Sequence, residues 1–142
     1  MLFAAPVIQT IQIMYKDKLN NIMLCYETAA SVLGMVSESG FPLVFYHRID
    51  NHINSKYIEG LYVDDLNLED VIRIRGVLCT NRERTICELI RDERDIQAIL
   101  ESIHAYNRLY GLDRLYSFAK KYGVYDKLKE FEFDALDYYN EG

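Results

Sequence analysis

The chain has 142 residues, half of them apolar, enough to bury one core and short for two, so a single domain over residues 1–142 is expected. Its formal charge of -6 opposes broad attraction to phosphate backbones, which calls for a basic face. No run approaches the roughly 20 apolar residues that span a bilayer, and three cysteines without C-x-x-C spacing read as reduced thiols; both point to a soluble cytoplasmic protein.

In chain order, Ile8 to Tyr15 places Ile11, Ile13 and Tyr15 on one face if extended, and a strand is expected there. Met23 to Leu33 carries small, helix-compatible residues and ends at Gly34, a natural helix C-terminus. Leu43 to His47, Tyr57 to Val63 and Val71 to Cys79 mix aliphatic and aromatic residues as strands do. In the last of these, Ile72, Ile74, Val77 and Leu78 are expected inside and Arg73 and Arg75 outside, with Gly76 permitting a kink or bulge.

After Thr80 the period becomes helical. Ile96, Ile99, Leu100, Ile103, Tyr106 and Leu109 recur at i, i+3, i+4, i+7 before Gly111. Leu112, Leu115, Tyr116, Ala119 and Tyr122 repeat the pattern before Gly123, and Val124, Leu128, Phe131 and Ala135 repeat it again. The fold class is therefore α+β, a mixed α/β arrangement: a small N-terminal sheet with one early helix, then a C-terminal run of about four packed amphipathic helices.

Thr80-x-x-Glu83 fits a capping box at the start of the first of these helices, with Asn81 as an alternative cap. Ile86, Leu89 and Ile90 then face the core. That leaves Arg82 and Arg84 to look outward or to pair with Glu88, Asp92 or Glu93. Together with Arg73 and Arg75 they form a candidate contact patch, because arginine suits bidentate recognition of carboxylate or phosphate. The alternative is a capped helix with solvated surface ion pairs.

Three stretches resemble AbiEi-family antitoxins in order and spacing. They are Glu27-Thr28-Ala29-Ala30-Ser31-Val32-Leu33-Gly34, then Thr80-Asn81-Arg82-Glu83-Arg84-Thr85-Ile86-Cys87-Glu88-Leu89-Ile90, then Leu112 to Tyr122, and the resemblance runs over residues 23–136. It implies a bacterial antitoxin paired with a nucleotidyltransferase-like toxin in a toxin-antitoxin or phage-defence system. Family members usually carry an N-terminal winged helix-turn-helix. The residues before Met23 are too few for one, so the resemblance implies the toxin-opposing half and not the repressor half. A nucleic-acid-binding regulator using the arginine patch is the alternative function.

Other candidates for chemistry are thinner. His47, Asp50 and His52 lie close in sequence but match no metal-ligand spacing. His104 sits beside an apolar helix stripe, where a structural histidine is the ordinary reading. Asp64, Asp65 and Glu69 form an acidic cluster of the kind that holds a divalent ion in nucleases, against a reading as turn and capping acids. Cys79 and Cys87 flank a helix start, where amide dipoles lower a thiol pKa, though both also suit the core. No phosphate-binding glycine loop or nucleophile elbow is present, so neither an enzyme nor a cofactor is expected. The tail from Tyr125 interleaves acids with aromatics, and Tyr138 and Tyr139 join the candidate partner-binding residues.

Overall fold

The computed structural model describes residues 4–37, 42–50 and 53–140, Ala4 and the last three as backbone only. Helix α1 spans Ala4–Met14 and is followed by a 3₁₀ segment, Lys16–Asn21. Strand β1 (Ile22–Leu24) leads into α2 (Tyr26–Val32), then β2 (Leu43–His47), β3 (Asn54–Ser55), β4 (Ile58–Tyr62), β5 (Val71–Ile74) and β6 (Val77–Thr80). Four helices complete the chain: α3 (Arg82–Arg91), α4 (Ile96–Tyr110), α5 (Asp113–Lys121) and α6 (Tyr125–Asn140). The α+β class and the C-terminal run of four helices agree with the sequence pattern.

The strands form one mixed sheet in the order β3-β4-β2-β1-β6-β5. β1 runs antiparallel to β2 and parallel to β6; β2 runs parallel to β4; β3–β4 and β5–β6 are antiparallel pairs. Every residue of β1 and β6 is buried, so the middle of the sheet is covered on both faces. Among the described residues no helix is long and apolar enough to cross a membrane.

Three sequence expectations are corrected. Ile8 to Tyr15 is not a strand but most of α1. Ile8 and Ile11 are buried while Ile13 is 72% exposed, so spacing by three, and not alternation, selects the inner face. Pro6 sits in the first helical turn, where its missing N–H costs nothing. Met23 to Leu33 is not one helix. Ile22, Met23 and Leu24 are wholly buried in the centre of the sheet, and α2 begins only at Tyr26, ending before Gly34 at φ 76°.

The third correction concerns Val71 to Cys79, which is a hairpin and not one kinked strand. Arg75 and Gly76 have φ of 50° and 85°, the left-handed pair of a two-residue type I′ turn. Ile74 and Val77 face each other across it. Ile72 is 37% exposed because β5 is the outermost strand.

Candidate functional site: a buried arginine network and a cationic sheet edge

The four arginines expected as one patch divide into two groups. Asn81, not Thr80, caps α3: its side-chain oxygen accepts from the Arg84 amide at 2.8 Å. Thr80 is the last residue of β6, and its hydroxyl meets that of Thr85 at 2.7 Å. Arg84 points inward, at 3% exposure. Its Nε donates to Glu88 at 3.0 Å, and Nη1 donates to the carbonyls of Asn67 and Glu69 at 2.6 and 2.9 Å. Arg84 thus ties α3 to the loop before β5. Arg82 is half-buried, donates to the Leu33 carbonyl at 3.2 Å and lies over the Tyr110 ring. Neither guanidinium is displayed on an open surface.

Arg73 and Arg75 are exposed, as expected. Arg73 donates to the Gly76 carbonyl and to Asn20 Oδ1, both at 3.1 Å. The side chains of Tyr138 and Tyr139 lie outside the described residues, so their candidate role has no structural counterpart here.

The largest polar constellation was not anticipated from sequence and centres on Arg94, just after α3. Arg94 contacts both oxygens of Glu27 on α2 and both oxygens of Glu59 on β4, with nearest approaches of 2.7 and 3.0 Å. Its guanidinium stacks 4.4 Å from the Tyr26 ring centroid. Tyr26 holds φ 50° and donates its hydroxyl to Asp92 at 2.5 Å. Tyr46 donates to Glu88 at 3.1 Å and meets Tyr26 edge-on. The network therefore runs from Arg84 through Glu88, Tyr46 and Tyr26 to Asp92, with the Arg94 cluster beside it.

Protonation states follow from this packing. Burial pushes the Asp92 carboxyl up, but hydrogen bonds from Arg91 and Tyr26 outweigh it and hold the group below the usual range. Burial, reinforced by the bond to Asp92, raises the Tyr26 phenol, and burial raises Tyr46 as well. The site is thus a neutral phenol pair between fixed ion pairs.

The other chemical candidates take structural places. Asp65 accepts from the Asn67 amide and Asn67 from the Glu69 amide, two Asx turns, while Glu69 and Asp70 pair with Lys121 at 2.6 and 2.7 Å. Cys79 and Cys87 are buried, and burial pushes both thiols up to about 12, the reverse of activation. His47 is buried, and its Nδ1 lies 3.1 Å from the Ile49 carbonyl. Asp50 is exposed and His52 lies outside the described residues. Among the described residues no group of His, Cys, Asp or Glu is arranged to hold a metal ion. His104 is half-buried beside Ala105 and Arg108 on α4.

The missed residues had no local signal. Arg94 is separated by 67 positions from Glu27 and by 35 from Glu59, and Tyr26 lies inside the Met23 to Leu33 segment expected as one helix. The nearest clue was the string of charges following Ile90, too polar to belong to the core stripe of α3. No family model and no curated protein matches the sequence.

Proposed function

We propose that this chain is a partner-binding antitoxin that antagonises a nucleotidyltransferase-like toxin, with no chemistry of its own. The reading rests on one observation: residues from two of the stretches that carry the AbiEi resemblance meet where α2 packs on α3, with Arg82 donating to the Leu33 carbonyl at 3.2 Å. Thr28 accepts from the Val44 amide at 2.8 Å, Glu27 holds Arg94, and Arg84, Thr85 and Glu88 lie buried on α3. These residues thus serve as scaffold, and contact with a partner falls to the exposed cations on the β5–β6 hairpin, Arg73 and Arg75. A cytoplasmic, bacterial setting belongs to the same reading.

The reading is tested by expressing the product of the adjoining gene in a bacterial host, alone and together with this chain. Growth arrest relieved by co-expression is expected. An adjoining product that does not arrest growth, or an arrest that this chain leaves unchanged, overturns the reading.

A further inference from the structure

We propose that the open edge of β5 binds an extended acidic segment of a partner protein, which joins the sheet as an added outer strand. The register fixes what that edge offers. Ile72 faces Cys79, Ile74 faces Val77, and the Asp70 carbonyl accepts from the Asn81 amide at 2.9 Å. Residues 70, 72 and 74 therefore direct their amide groups at the β6 side, while Val71 and Arg73 direct N–H and C=O outward. β5 contains no proline, and its pairing with β6 continues without a bulge to the turn. The opposite edge strand, β3, has only two residues.

The chemistry of the occupant follows from charge. Among the described residues Arg73 bonds only neutral acceptors, the Gly76 carbonyl and Asn20 Oδ1. Among the described residues neither Arg73 nor Arg75 has a carboxylate within ion-pair distance. Glu69 and Asp70 at the far end of β5 are matched by Lys121. On a chain of net charge -6, this is a local cationic strip along unpaired backbone. An added strand lies about 4.8 Å from β5, which puts every second side chain beside Arg73 and the alternate ones beside the partly exposed Ile72. The matching segment alternates acidic with apolar residues. A second copy of this chain is a poor occupant, because edge-to-edge pairing sets the arginines of one copy against those of the other.

This inference rests on the partner-binding reading only in taking the strip as a contact surface. The probe is a blocked, fluorescently labelled hexapeptide alternating Glu and Val, with a Lys-Val peptide of the same length as control. Binding by the full chain is expected for the acidic peptide alone, with NMR shifts centred on the Val71 and Arg73 amides. The charge-reversal variant R73E/R75E is expected to weaken binding at least about tenfold. Arg73→Pro removes an outward N–H and leaves the β6 ladder intact, and it is expected to weaken binding as well. Equal binding of both peptides, unchanged binding by R73P, preferential binding of labelled single-stranded RNA at the same amides, or self-association through β5 would each overturn the proposal. Failed peptide binding with toxin relief intact removes the edge and leaves the antitoxin reading standing. Peptide binding without relief does the reverse.

Discussion

Arg84 and Glu88 illustrate how one residue's position decides between surface and scaffold. An arginine and a glutamate at i, i+4 in a charged helix read as an exposed pair, yet both are almost fully buried, and the arginine is held by three loop carbonyls besides. The reason is that α3 is enclosed on all sides, with every residue from Glu83 to Ile90 buried. Removing one partner leaves the other charge buried and unpaired, so Arg84→Met is expected to cost about 3–5 kcal/mol in urea unfolding. The double change Arg84→Met, Glu88→Leu is expected to recover much of that loss. A single change within about 1 kcal/mol of the parent contradicts the burial argument. This is also why the candidate site was only half legible. Periodicity identified which residues of α3 are apolar, but it does not say which polar residues share their face. The Arg94 cluster is assembled from three distant segments, and no local pattern encodes it.

At the scale of elements, helices were legible where their signals are local. The stripes ending at Gly111 and Gly123 mark α4 and α5, and both glycines have φ of 73° in the structure. Strands β2 and β4 carry their own aliphatic and aromatic composition. β1 does not: three wholly buried residues in the middle of a sheet show no alternation, and they ran into the helix that follows. The β5–β6 hairpin was hidden because its turn is Arg75-Gly76, where Asn-Gly is the usual signature. The sheet also contains a position that tolerates no side chain. A Cβ on Gly60 would lie 2.3 Å from the Ile53 carbonyl oxygen, which accepts from the Gly60 amide at 2.9 Å. Gly60→Ala is expected to destabilise by about 1–3 kcal/mol and to disturb the amide resonances of β3 and β4, because that backbone must move. An unchanged urea midpoint would show that the strand has slack there.

At the scale of the whole molecule, buried titratable groups set the pH range of the fold. Thiols with an ordinary value of 9.0 are pushed up to about 12 at Cys79 and Cys87. A folded pKa above the unfolded one gives stability that is complete below pH 9 and is lost as pH rises towards 12. Each thiol contributes a slope of up to about 1.4 kcal/mol per pH unit in that window. Urea midpoints are therefore expected to fall from pH 9 upward, and less steeply in C79A/C87A; a parallel fall in both would assign the loss to other groups. The larger claim is that the chain works by contact through the β5–β6 hairpin and not by carboxylate chemistry. Its most direct test is relief of growth arrest on co-expression with the adjoining gene product. The comparison is between the parent chain, the charge reversal R73E/R75E, and a variant with Asp64, Asp65 and Glu69 all changed to alanine. The parent and the triple-alanine variant are expected to relieve the arrest and the charge reversal to fail. Relief that survives the charge reversal, or is lost with the three acids in a chain that still folds, would contradict it.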